Sequence, residues 1–344
     1  MSQIAYLSGG LVLYWSGIVL ALGLAAGLCL SLALYPRYNR HSAAVWVFFP
    51  FALILGLLAA RLIYWYCHIE QFASIWEALT EYNSGSYALF GVIFGVWAAA
   101  WIVRRLGLVG HMGRLLDAVA PGLCLSFAFI RLSELWGSAC RSRISLPEGF
   151  FRRLPFAVRS VDSTGTESWP LAVFFLSFLL LLLVTVLLVR FYTVYRRWPM
   201  IDGSPVNGNV FRIFLLLWGV TEIVIDSLRY DSCFMHFTWL KQLNPYASFV
   251  SLGQIFAAVT ILAVFIHFTA VRVRGHNGGW GLVLAWLLYL ASLVGAGYFG
   301  EYKVQRSANY IRCYPIQIVS LLVMAGVVWW TYRGCLYRED AAAE

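Results

Sequence analysis

Three ionisable residues stand where an apolar helix should run. In the stretch WGVTEIVIDSLRYD, residues 218–231, Glu222, Asp226 and Arg229 fall at i, i+4 and i+7, which puts them on one stripe of a helix. Arg131 and Glu134 are three residues apart near the end of another apolar run, again on one face. Arg61 lies near the end of a third run. A guanidinium can hold a phosphate or carboxylate through two parallel hydrogen bonds. A carboxylate beside it can orient the cation or move a proton. This pattern points to a polar site for an anionic headgroup. The plainer reading is an ion-pair network that fixes helix packing, since three Arg face two Glu and one Asp. No Ser/His/Asp triad, P-loop or HExxH is present, and the seven cysteines show no CxxC or Cys/His spacing. Nothing in the pattern implies a metal or another cofactor.

The elements that carry these residues are membrane helices. The chain has 344 residues, of which 61% are hydrophobic and 12% charged, against about 25% charged in a soluble domain. A bilayer core needs about 20 apolar residues per helix. Nine runs approach that, at 11–35, 44–67, 86–103, 116–136, 169–192, 208–229, 246–271, 279–299 and 316–335. They are long and do not alternate with period two, so they are helices and not strands. The expected fold is an all-α polytopic integral membrane protein of about nine transmembrane helices. The start, MSQIAYLSGG, lacks the basic region and cleavage site of a signal peptide, so the first run is expected to be a retained helix. Gly23/Gly27 and Gly91/Gly95 have GxxxG spacing, which predicts close helix packing.

The loops predict orientation. Arg37 and Arg40, then Arg104, Arg105 and Arg114, then Arg190, Arg196 and Arg197, then Arg272 and Arg274, and finally Arg333 and Arg338 follow alternate runs. These connections share a side, and the positive-inside rule makes it cytoplasmic, with the N-terminus outside. That side accounts for the net charge of +9 without invoking nucleic acid. The loop after run two carries Glu70, Glu77 and Glu81 and fits the outside. Residues 138–168 also lie outside, yet carry Arg141, Arg143, Arg152, Arg153 and Arg159. They read equally as an interfacial helix or lid against anionic headgroups and as a solvated loop. Arg61, Arg131, Glu134, Glu222, Asp226 and Arg229 all fall at similar depth in the outer leaflet. An ionisable residue at mid-bilayer costs on the order of 3 kcal/mol, so the six are expected to face one another. The stripes of runs four and six should meet across a polar cavity open to the outer leaflet, with Arg61 on its wall.

The layout resembles bacterial prolipoprotein diacylglyceryl transferase, a family of seven-helix membrane enzymes with the N-terminus outside. Trp15-Ser16-Gly17 resembles the family's W-Y-G, and Ala59-Ala60-Arg61-Leu62-Ile63-Tyr64 its G-A-R-L-x-Y. Asp117-Ala118-Val119-Ala120-Pro121 is similar to its D-x-x-A-P, and Ile130-Arg131-Leu132-Ser133-Glu134 to the region of its G-R-[IL]-G. The run from Glu222 to Asp231 resembles R-F-x-x-E-F-x-R-x-D, and Ser251-Leu252-Gly253-Gln254 matches S-x-G-Q. The resemblance covers residues 5–272 in consistent order. It implies a core at 1–276 and an added helix pair at 277–344.

The resemblance also implies a reaction. The family moves the diacylglyceryl group of phosphatidylglycerol onto the lipobox cysteine of a preprolipoprotein in the bacterial cytoplasmic (inner) membrane. The implied partners are that anionic phospholipid and the preprolipoprotein signal peptide. Arg131 and Arg229 would hold the phosphate, with Glu134 and Asp226 orienting them and Arg61 and Gln254 nearby. The family's His-Gly-Gly falls near Leu89-Phe90-Gly91, so the histidine is absent; the W-Y-G tyrosine is Ser16, and a family arginine is Glu222. A carboxylate stripped of water is a better base, which makes Glu222 and Asp226 the candidate catalytic groups. These departures predict weak activity or none in the family's usual reaction. The alternative is a non-catalytic relative that binds anionic lipid or a partner membrane protein. A small-molecule transporter would also explain buried charge, but no internal repeat or paired broken helices support it.

Overall fold

The computed structural model describes residues 4–8, 11–35, 42–80, 87–136, 142, 144–146, 149–152, 155–161, 165–194, 200–201, 207–229, 250–307 and 309–336. Arg37, Arg40, Glu81, Arg141, Arg143, Arg153, Arg196, Arg197, Asp231 and Arg338 lie outside the described residues.

An antiparallel hairpin, β1 (Ile4–Ser8) and β2 (Leu11–Tyr14), precedes the first helix. That helix therefore starts at Trp15 and not near residue 11. The helices are α1 (Trp15–Leu34), α2 (Ala43–Cys67), a short α3 (Ile75–Thr80), α4 (Gly91–Arg105) and α5 (Met112–Ser133). After a second small hairpin, β3 (Ser160–Val161) and β4 (Glu167–Ser168), come α6 (Val173–Val194), α7 (Asn209–Leu228), α8 (Leu252–Arg274), α9 (Trp280–Gly297) and α10 (Tyr310–Arg333). Each of the nine apolar runs holds one long helix. Seven of them, among the described residues, are long and apolar enough to cross a membrane, and the chain is an all-α polytopic membrane protein. The other two depart for separate reasons. At 15 residues, α4 spans about 22 Å, short of the roughly 30 Å hydrocarbon core. α7 carries Arg212, Glu222 and Asp226, and it can tolerate them because other helices enclose it.

Helices α5 and α7 form the centre. From Leu115 to Ala128 every residue except Leu125 is buried. α5 packs against α1 through small residues: a Cβ on Gly27 would come within 2.4 Å of the Gly122 carbonyl oxygen. α2 packs against α4 the same way, since a Cβ on Gly95 would lie 2.4 Å from Gly56 Cα. Both GxxxG pairs are therefore packing devices, because a side chain there would push the backbones apart.

The Arg-bearing ends meet at one end of the bundle. Tyr192 Oη donates to the Leu34 carbonyl at 3.0 Å, and Arg114 Nε to Asn207 Oδ1 at 3.3 Å. Ile201 N–H donates to the Cys335 carbonyl at 2.8 Å. Asn277 Nδ2 approaches the Gly334 carbonyl at 3.4 Å. At the opposite end the described part of 142–171 is neither an interfacial helix nor a detached loop. Bridges Ser145–Pro170 and Ala157–Leu171 hold it together, and Ser142–Arg229 joins it to the residue that follows α7. Ile144, Val158 and Leu171 pack there with Phe174, Ile225 and Leu228.

Candidate functional site

The site lies at the end of the bundle away from the arginine-rich turns, and two helix starts set its geometry. Asp117 on α5 is buried and accepts from the N–H groups of Gly208 at 2.6 Å and Phe211 at 3.0 Å. It thereby caps α7 from across the bundle, satisfying donors that a helix start leaves open. Gly208 has φ +93°, a left-handed conformation that glycine adopts without strain. The second start is a capping box on α8. Ser251 Oγ accepts the Gln254 N–H at 3.1 Å, and Gln254 Oε1 accepts the Ser251 N–H at 3.0 Å. The Ser-Leu-Gly-Gln element thus has a local structural role, which its S-x-x-Q spacing before an apolar run could have announced.

With α5 and α7 fixed, their charged stripes touch. Arg131 Nη2 donates to Glu222 Oε1 at 2.7 Å, and its Nη1 to Glu134 Oε1 at 3.1 Å. Arg131 and Glu222 have side chains only 2% and 6% exposed. Glu222 is therefore the partner of Arg131. One turn on, Asp226 accepts the Ser251 hydroxyl proton and lies 3.7 Å from Arg229 Nη1. α7 ends at Leu228, and Arg229 is extended, with φ −76° and ψ 150°. Its guanidinium is not on the helical stripe that the i+7 spacing predicted, although it stays beside Asp226.

This contact corrects the expected cavity. Opposite charges close the gap between α5 and α7. A cavity of about 30 Å³ lies instead between α7, α8 and the chain entering α4, lined by Glu222, Asp226, Arg229, Leu89, Phe90 and Gly253 among others. That is room for waters or one small polar group. Ile63 and Tyr87 line it and Arg61 does not. Arg61 is buried, donates to the Ala78 carbonyl, and sits 5.5–5.6 Å from the ring centroids of Tyr64, Phe72 and Tyr87. It pins the α2–α3 turn, one ring removed from the cavity. Gln254 reaches Ser227 Oγ at 3.2 Å and Glu301 Oε1 at 2.5 Å. Glu301 has no motif around it; its only signal in the sequence is an acid closing an apolar run.

Two further features bear on chemistry. Leu89 lines the cavity, while Phe90 stacks on Phe256 at 4.6 Å and packs near Trp218. A second, apolar groove of about 400 Å³ runs between the α1/α5 and α2/α4 pairs, from Trp46 and Pro50 to Ile130. Ile130 precedes Arg131, so the groove ends beside the charged network. Among the described residues no group of three or more His, Cys, Asp or Glu is arranged to hold a metal ion.

Residues 3–270 match the family model described as Prolipoprotein diacylglyceryl transferase. A phosphatidylglycerol–prolipoprotein diacylglyceryl transferase of Oceanobacillus iheyensis is 25% identical over 244 residues, covering 68% of this chain and 79% of that protein. One of the same name from Acaryochloris marina is 29% identical over 238 residues, covering 65% and 78%. Another, from Finegoldia magna, is 22% identical over 256 residues, covering 73% and 93%.

Proposed function

The chain belongs to the prolipoprotein diacylglyceryl transferase family, and from that premise we propose that it transfers a diacylglyceryl group from phosphatidylglycerol to the lipobox cysteine of preprolipoproteins. The site faces the outer leaflet of the bacterial cytoplasmic membrane, with the N-terminus outside. The observation that carries this reading is the meeting of Arg131, Glu222, Asp226 and Arg229 beside one small cavity and at the end of an apolar groove. Lipid tails lie in the groove, and the phosphate sits at the charged end. Arg229 is the better phosphate ligand because it lines the cavity. Arg131, held by the two carboxylates Glu222 and Glu134, ties α5 to α7 behind it.

The transfer needs a thiolate, since the thiol is a poor nucleophile. The sulfur attacks the glycerol carbon bonded to the phosphate oxygen. An S–C bond forms, the C–O bond breaks, and phosphoglycerol leaves with the bonding electrons. Asp226 takes the thiol proton; Glu222 is committed to Arg131 and orients it. Residues 1–276 form the transferase core and 277–344 an added pair. Leu89 in place of the histidine removes the family's base from the cavity, which makes this chain a slow member of its family and leaves the proton step to Asp226.

The test is the purified chain in phosphatidylglycerol vesicles with a lipobox peptide. Transfer by the wild type and a loss of roughly 10²–10⁴-fold in Asp226→Asn, the usual range for a lost general base, is the expected result. Retained phosphatidylglycerol with no transfer refutes catalysis and favours a lipid-binding relative.

A further inference from the structure

Three polar side chains reach the site from beyond the residues that match the family. Glu301 sits in a π-turn, Tyr298–Lys303, that continues α9. Tyr314 and Gln317 lie on α10. Tyr314 Oη donates to the Ser227 carbonyl at 3.1 Å, and Gln317 Nε2 to Ser227 Oγ at 2.7 Å. Ser227 follows Asp226 on α7. The π-turn serves both contacts. Gly300 leaves space that a Cβ would fill, only 2.0 Å from Gln317 Nε2, and the next residue directs its carboxylate inward, where Glu301 is 9% exposed. Turns of this kind are rare in helices and recur at functional sites.

Donor and acceptor rules link Glu301 to Asp226. A carboxylate accepts and does not donate, so Glu301 obliges Gln254 to present its amide NH₂, at 2.5 Å. The Gln254 side-chain oxygen then meets the Ser251 N–H at 3.0 Å. Ser251 Oγ in turn accepts the Gln254 N–H at 3.1 Å, which leaves its own hydroxyl proton for Asp226. Turning the Gln254 amide over would set oxygen against oxygen at Glu301 and N–H against N–H at Ser251. The Ser251 N–H and Glu301 therefore fix the same orientation of Gln254 from its two sides, and Glu301 is the charged acceptor, at the shorter distance.

We propose that Glu301 is a positioning residue for Asp226, acting through Gln254 and Ser251, and that the C-terminal pair has become part of the site in this chain. The activity arm of the test rests on the transferase reading above; the exchange arm does not. The full-length protein in detergent is compared as wild type, Glu301→Ala and Glu301→Gln. The first readout is deuterium uptake by the two backbone amides that the capping box of α8 holds, those of Ser251 and Gln254. Uptake should quicken about fivefold or more in Glu301→Ala as the capping box loosens, and stay near wild type in Glu301→Gln, whose side-chain oxygen still accepts. The second is transfer kinetics: kcat should fall about tenfold in Glu301→Ala with KM for phosphatidylglycerol within about twofold, because the cations are untouched. Glu301→Gln should restore most of it. If Glu301→Ala is not recovered as a monodisperse species, Glu301→Asn, which withdraws the acceptor by one methylene, carries the same comparison. Unchanged uptake in the Ala or Asn variant overturns the inference. So does equal loosening in Glu301→Gln, since acceptance of the Gln254 hydrogen bond would then not matter. Loosened α8 amides in a chain whose wild type shows no transfer uphold the positioning and refute the transferase reading.

Discussion

Replacing Arg131 should be the most damaging single change in the buried network. Its guanidinium ties Glu222 on α7 at 2.7 Å and Glu134 after α5 at 3.1 Å, and the first pair is buried. Arg131→Met keeps much of the stem and volume and strands a buried Glu222. Losing one partner of a buried pair costs about 3–5 kcal/mol. Glu134, 18% exposed, adds less than about 1 kcal/mol, because a partly wetted carboxylate loses little with its partner. Glu222→Gln keeps the shape and an acceptor oxygen and leaves Arg131 with Glu134. It forfeits only the charge assistance of one hydrogen bond, about 1–2 kcal/mol. In Arg131→Met/Glu222→Gln neither charge remains buried alone, so the double variant should be more stable than Arg131→Met, with a coupling of about 1–3 kcal/mol. Unfolding free energy from SDS titration in mixed micelles reads all three. If Glu222→Gln is as costly as Arg131→Met, or the double change equals the sum of its parts, the network does not hold α5 to α7.

Three more outcomes follow from the packing. Asp117→Ala removes the acceptor for two N–H groups at the start of α7 and should cost about 1–3 kcal/mol in the same titration, with Asp117→Asn closer to wild type. Gly95→Val forces α4 off α2 and should lower stability by about 1–3 kcal/mol or more. Gly326→Ala, where a Cβ meets nothing within 4 Å, should gain about 0.5–1 kcal/mol; thermal unfolding in detergent compares them. Single cysteines at Glu77 and Arg105 should react with a membrane-impermeant maleimide from opposite sides, and labelling of both from one side would overturn the topology.

Much of the architecture was legible in the chain. Apolar length and the absence of period two dictate membrane helices whatever their neighbours, because the bilayer sets the length and leaves no backbone group unpaired. Arginines after alternate runs announce that alternate ends share a face, and the described ends do meet there. The spacing of Glu222 and Asp226 and of Arg131 and Glu134 marks two charged faces, since helical periodicity is local. The family was readable in short motifs that keep their order.

Which face meets which was decided only by the tertiary structure. Periodicity states that two residues share a stripe of one helix but not how that helix is rotated or what it packs on. Arg131 and Glu222 are 91 residues apart, and their contact exists because Asp117 seats the start of α7 and small residues set the distances between helices. Arg61 had the same sequence credentials as Arg131, yet the aromatic turn after α2 took it out of the network. Arg229 left its stripe because α7 ends one residue earlier. Glu301, 47 residues from Gln254, could be assigned to the site only after α9 and α10 were packed against α7 and α8. A side chain's partner across a bundle depends on helix rotation and offset, which are properties of the whole packed molecule and leave no periodic mark on any one segment.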